Sequence, residues 1–424
     1  MLWYHSTKLF IPRNFSLIHT RFNSTLQTKP KPFRILFFGT DDFASTHLKA
    51  LIKLKDQPES CIQSLDLVCP PDRLTGRKLD TLTPSSTKGL AELYNIPVHH
   101  TPNKAKTLDD WVMPKGRTYD LGVVVSFGYF IPPHVISSFQ HGAINVHPSL
   151  LPKFRGAAPI QHTILQGEQE TGVTVQELDD KEFDAGRILK QSTVDLSSDV
   201  APSYKELSLF LANVGSKLLV DTLQNFHEYK KNAITQDITQ ATKAPKIKKE
   251  WATLDFNLMS SWQIEQLYRA IGDQYPLRTT FTFSRIKRSL LVKQRIIQMQ
   301  LFNIYLPDNS PFYNTTTEDY YPAGTFMLDP KTGHLHILCA DQQVIGVTHV
   351  KAENKNAILA KDFINGYDIK KTGQFDYYVD PTQVKPGQSG VRENKRRQFY
   401  EKTIRKRLGL RREAYDRIYK GKVD

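Results

Sequence analysis

Asn145 and His147 stand two residues apart in Gly142-Ala143-Ile144-Asn145-Val146-His147-Pro148. Read as a short strand, the stretch puts the amide and the imidazole on one face, with Ile144 and Val146 on the other. Pro148 removes a ladder donor and ends the strand there. An amide can donate to a developing oxyanion and an imidazole can move a proton, so the pair suits chemistry at a carbonyl carbon. A third polar group comes from Glu182-Phe183-Asp184-Ala185-Gly186. An acid before a small residue and a glycine makes a tight turn that can aim Asp184 into a crevice, although an ordinary Asx turn fits the same composition. Between them, Ser149-Leu150-Leu151-Pro152 is a stiff exit from the strand. Arg155-Gly156-Ala157-Ala158-Pro159 is built from small residues that let a flat ligand approach the backbone before a helix at 160–166. The plainer reading of that loop is structural, with Arg155 paired to a carboxylate.

These groups need a frame. Residues 33–40 read as a buried strand and 42–54 as a helix; strands at 65–69, 97–100 and 120–126 alternate with helices at 85–95 and 133–139. That alternation predicts a Rossmann-like, doubly wound parallel sheet with its ligand crevice at the carboxyl ends of the strands. The turn Gly39-Thr40-Asp41-Asp42-Phe43 lacks the dinucleotide fingerprint, and no phosphate-binding Gly-Lys-Ser/Thr loop occurs. Further strands are expected at 172–178 and 187–195. A helix is expected over 203–226, where Leu207, Phe210, Leu211, Val214, Leu218 and Phe226 recur at helical steps. The polar, lysine-rich stretch 228–250 reads as a linker. From 251 to 375 the pattern is one helix at 260–271, then short β segments at 278–284, 289–294, 298–304, 323–328, 334–339 and 343–350. That predicts a small antiparallel, OB-like β-barrel.

The chain has 424 residues, 39% of them hydrophobic, enough for two domains. Cys61, Cys69 and Cys339 have neither paired nor metal-type spacing, so reduced thiols and no metal are expected. The formal charge of +14 is uneven: residues 385–424 carry a net +9 and residues 231–300 a net +7. Positive charge away from the presumed chemistry points to a polyanionic partner. Residues 1–28 mix Arg, Lys, Ser and Thr with large apolar residues, and the first acid is Asp41. This is the composition of a mitochondrial presequence, with a plain polar tail as the alternative. No run of 18 apolar residues occurs, so no membrane span is expected.

His147-Pro148-Ser149-Leu150-Leu151-Pro152-Lys153-Phe154-Arg155-Gly156-Ala157-Ala158-Pro159-Ile160 closely resembles the signature of the folate-dependent formyltransferases. Arg34–Ala44 is similar to the family's first strand and turn, with Asp41 where a proline is common. Pro71–Leu79, Val124–Pro132, Thr171–Thr174 and Asp184–Gly186 follow in family order. Ala244–Ile247 and Asp362–Gly366 resemble its carboxyl-terminal barrel. The likeness is strong over 33–225, weaker over 245–375 and absent beyond 380.

The resemblance implies that Asn145, His147 and Asp184 are the catalytic triad. It implies 10-formyltetrahydrofolate as formyl donor, lying against Phe127, Gly128, Tyr129, Phe130 and Ile131 and against Ser149, Leu150, Leu151 and Pro152. It implies the amino group of initiator methionyl-tRNA as acceptor, in mitochondrial translation initiation in the matrix. Arg73, Arg77 and Lys78 would then face the acceptor end, and Lys246, Lys248 and Lys249 the phosphates. The implied layout is a presequence (1–28), a catalytic domain (33–227), a basic linker (228–250), a tRNA-binding barrel (251–375) and a basic tail (380–424), acting as a monomer. Whether His147 or Asp184 takes the amine's proton stays open. Two alternatives remain: a formyltransferase for a small amine, and a non-catalytic RNA-binding protein on the same scaffold. The second domain and the placement of charge speak against the first, and the intact triad against the second.

Overall fold

The computed structural model describes residues 31–76, 79–103, 107–197, 201–286, 292–314, 321–369 and 372–376. The expected presequence, Arg77, Lys78 and the basic tail lie outside the described residues. The chain opens with β1 (Phe33–Gly39), α1 (Asp42–Lys55), β2 (Ile62–Cys69), a hairpin of β3 (Arg73–Thr75) and β4 (Thr81–Thr83), α2 (Ser86–Leu93) and β5 (Val98–His100). It continues through β6 (Leu121–Val125), the short α3 (Pro133–Ile136), β7 (Ala143–His147) and α4 (Pro159–Gln166). It then runs through β8 (Glu170–Glu177), β9 (Ile188–Asp195), α5 (Tyr204–Gln224) and α6 (Phe226–Lys231).

The first sheet has the order β5-β2-β1-β6-β7-β8-β9. Its first five strands are parallel, as the alternation of strands and helices predicts. Strand β8 runs antiparallel to β7, with α4 between them, and the helix-free loop after β8 returns the chain so that β9 is antiparallel to β8. Strand β1 is buried on both faces. Ile35 and Phe37 join the cluster under α1 and α5, while Leu36 and Phe38 join a second cluster with Trp111, Val124 and Phe127. Helix α1 starts on Asp41, whose carboxylate accepts from Ala44 N at 3.0 Å, and α5 starts on a capping box of Ser203 and Glu206. The predicted helix 203–226 breaks at Asn225, leaving α5 and α6.

The stretch 228–250 differs from a free tether. Its start belongs to α6. Ile234 then exchanges both backbone hydrogen bonds with Ile188, and Arg155 does so with Thr242 and Ala244. Ala244, Ile247 and Trp251 are buried, so recurring apolar residues bind this lysine-rich segment to the first domain.

After α7 (Ser261–Ile271), capped by Ser260 and Gln263, come β10 (Leu277–Ile286), β11 (Val292–Tyr305), β12 (Thr325–Leu328), β13 (Leu335–Leu338), β14 (Val344–Ala352), β15 (Ile358–Leu359), α8 (Ala360–Gly366) and β16 (Gly373–Asp376). The strand order is β11-β10-β16-β12-β13-β14-β15, and pairing of β11 with β14 closes the barrel. From Val292 onward, the segments expected at 289–294 and 298–304 are one long strand, β11, that pairs with β10 and β14 in turn; residues 289–291 lie outside the described residues. Phe281, Phe326, Phe363 and Phe375 fill the barrel's interior.

Candidate active site

Strand β7 ends at the carboxyl edge of the parallel run, where a crevice forms. Ile144 and Val146 enter the core, and Asn145 and His147 take the opposite face. Asp184 comes from the loop joining β8 to β9 and has φ +56°. Gly186 lets that loop lie against β8: a Cβ there would sit 1.8 Å from the Glu177 carbonyl oxygen. Gly156 has the same role on the opposite wall. Its φ is +127°, and a Cβ would lie 2.6 Å from the Ala244 oxygen.

The three side chains meet. Asn145 Nδ2 donates to Asp184 Oδ1 at 3.4 Å, and His147 Nδ1 lies 3.5 Å from the same oxygen. Gln176 Nε2 also donates to Oδ1, at 3.1 Å, and the Gly156 amide donates to Oδ2 at 2.9 Å. His147 is 5% exposed, and its Nε2 is 3.0 Å from the Phe154 carbonyl oxygen. A carbonyl only accepts, so Nε2 carries the proton and His147 can exchange protons only through Nδ1, on the Asp184 side.

The triad opens into a cleft of about 840 Å³. That volume suits a ligand of folate size. Phe127 through Ile131 line it, together with Leu178, Asp179, Glu182, Phe183 and Asp184, and with Asp41, Tyr204 and Ser208. Phe130 and Phe183, both in the lining, meet edge to face at 4.9 Å. Burial and the Asp41 carboxylate raise the Tyr204 phenol, which keeps its proton at neutral pH.

All five residues expected from Phe127 to Ile131 line this cleft. Of the second expected folate segment, only the preceding Pro148 lines it. Ser149 and Leu151 are buried, and Leu150 and Pro152 are half-buried outside the lining. The Ser149 hydroxyl donates to the Lys153 carbonyl, and its own carbonyl accepts from Thr174, so backbone demands turn this loop inward. Arg73 and Lys246 line the cleft, and Lys248 and Lys249 are exposed but are not part of its lining. Arg155 pairs with the Gln236 amide rather than with a carboxylate. Gln176 and Gln236 went unnoticed in the sequence, where a lone glutamine has no signature. Among the described residues no cluster of three or more His, Cys, Asp or Glu could hold a metal.

A Rossmann-like sheet whose carboxyl edge joins an amide, an imidazole and a carboxylate, followed by a barrel, defines a class. Residues 33–223 match the formyl transferase family, and residues 246–368 match the formyl transferase C-terminal domain. The chain belongs to the formyl transferase family. Among its relatives, "Methionyl-tRNA formyltransferase, mitochondrial" of Homo sapiens is 34% identical over 372 residues, covering 86% of this chain and 84% of that protein. The protein of the same name from Rattus norvegicus is 34% identical, covering 86% of each. "Methionyl-tRNA formyltransferase" of Protochlamydia amoebophila is 31% identical, over 79% of this chain and 96% of the relative.

Proposed function

We propose that this chain transfers the formyl group of 10-formyltetrahydrofolate to the amino group of initiator methionyl-tRNA. The observation that carries the reading is the contact of Asn145 and His147 with one oxygen of Asp184 at the floor of the cleft. The names of the relatives support the acceptor, and the barrel and basic segments support a tRNA over a small amine. The folate lies along Phe127–Ile131, with the formyl carbon toward Asn145. Arg73, Arg77 and Lys78 face the acceptor end, while Lys246, Lys248 and Lys249 meet phosphates.

The neutral amine attacks the formyl carbon, a C–N bond forms, and charge develops on the formyl oxygen. Asn145 uses one N–H on Asp184 and has a second for that oxygen. The amine's proton passes to His147 Nδ1 or Asp184 and on to the departing folate nitrogen as the old C–N bond breaks. Formylmethionyl-tRNA and tetrahydrofolate leave. Asp184 orients the imidazole and stabilises its cation. The mammalian relatives and the composition of residues 1–28 support action in mitochondria, in the matrix after removal of a presequence.

The test is transfer of labelled formyl from 10-formyltetrahydrofolate to methionyl-tRNA and, separately, to a small amine such as methionine amide. Transfer to the tRNA alone is expected, and it should weaken steeply as salt rises, because phosphate contacts release counterions. Equal, salt-insensitive transfer to the small amine would replace the acceptor. Binding of both substrates without product would favour the non-catalytic scaffold.

A further inference from the structure

Gln236 lies in the segment between α6 and α7, remote in sequence from the triad, and is 6% exposed. Its side-chain oxygen accepts from Arg155 Nε at 3.0 Å and from Nη2 at 2.7 Å. Its nitrogen has two N–H groups for three acceptors, the Gly186 oxygen at 2.7 Å, the Asp184 oxygen at 3.0 Å and Gln176 Oε1 at 3.1 Å, so one N–H is shared. Gln176 Nε2 in turn donates to Asp184 Oδ1.

The direction of this chain of bonds is forced. A guanidinium has donors only, so Arg155 obliges Gln236 to present its oxygen. The Gln236 nitrogen then faces Gln176, which must present its own oxygen in reply. Gln176 is left with its N–H groups on Asp184. Turning either amide over would set oxygen against oxygen or N–H against N–H.

We infer that Gln236 is a positioning residue for the Asp184 carboxylate. It holds the Gln176 amide in the one orientation that donates to Oδ1, and it pins the backbone from Asp184 to Gly186. Without it the Gln176 amide loses the partner behind its oxygen and can swing away from Oδ1. The inference rests on Asp184 acting in formyl transfer. It also gives the segment that carries Lys246 to the cleft a direct hold on the triad.

Steady-state transfer to methionyl-tRNA is measured for the full chain, Gln236→Leu, Gln176→Leu and the double variant. The wild-type arm tests the proposed activity, independently of Gln236. Each single variant is expected to lose about 10- to 100-fold in kcat, the size of a small misplacement of a catalytic group, with KM for both substrates within about twofold. The double variant should lose no more than the worse single one, since both act through one network. Multiplying losses, or a Gln236→Leu kcat within about twofold of wild type, overturn the inference. A substrate-free readout runs beside it. The Gly156 amide, which donates to Asp184 Oδ2, should exchange its hydrogen faster in Gln236→Leu, and unchanged exchange also overturns the inference. Should the leucine variant not fold, Gln236→Glu takes its place. It keeps acceptors for Arg155 but has no N–H for Gln176, so the same loss of kcat is expected and full activity contradicts the assignment.

Discussion

The cleft and the barrel use aromatic rings in opposite ways. In the barrel, Phe326 is 0% exposed and meets Phe375, Phe281 and Phe363 at centroid distances of 4.4, 5.9 and 5.9 Å. These rings are the barrel's core. Around the cleft the rings grade outward: Phe127 is anchored on Phe38 at 5.3 Å, while Phe183, also in the lining, stays 58% exposed. An enclosed ring stabilises a fold, and a ring left half in solvent is available to a ligand. The barrel thus uses these rings for its own core, whereas the cleft offers its ligand apolar surface.

The largest expected effect breaks the barrel side of that contrast. Phe326→Ala should lower unfolding stability by about 3–5 kcal/mol, the cost of emptying a large aromatic site in a core. Denaturant titration measures it; a loss under about 1 kcal/mol would mean the rings are not the core. Asn145→Ala acts on the other side. It should cut kcat by about 100- to 1000-fold and leave the unfolding curve in place, since it removes an oxyanion donor and little packing.

Acid should strain both regions with one sign. Burial inside the catalytic domain holds His47 near a pKa of about 4, against an ordinary 6.5, and burial lowers His336 in the barrel as well. Both are neutral when folded. Between about pH 6.5 and 4 the unfolded chain binds protons that the folded chain refuses, so stability falls as pH drops, by up to about 3 kcal/mol for His47. His47→Gln should flatten the fall in melting temperature over that window more than His336→Gln; an unchanged slope would contradict it. The smallest effect sharpens the cleft side. Phe183→Ala removes an exposed ring from the cleft lining; a ring contact with a bound ligand is worth about 0.5–1.5 kcal/mol, so KM for the folate should rise about two- to tenfold.

Much of the site was legible because its information is local. A period of two places Asn145 with His147, and a glycine two residues on marks the Asp184 turn. Most of the parallel strands were equally legible, since α1, α2 and α3 separate them in the sequence, although no helix lies between β5 and β6. The network behind the triad was not. Gln176 and Gln236 are 60 positions apart, and neither says anything until β8 and the segment after α6 lie side by side. Charge hid the nature of that segment too: its lysines read as linker, while the Ile234 backbone and the buried Ala244 and Ile247 bind it to the first domain. The Ser149–Pro152 loop shows the converse. Its motif led to a ligand wall, yet its hydroxyl and carbonyl are used within the protein.

The central claim is that Asp184 joins Asn145 and His147 in one catalytic unit. Single-turnover transfer to methionyl-tRNA by Asp184→Asn tests it most directly, because the substitution keeps the side chain's shape and removes its charge. A loss of about 100-fold or more in the transfer rate, with an unchanged melting temperature, is the predicted result. A rate within about twofold of wild type would contradict the account.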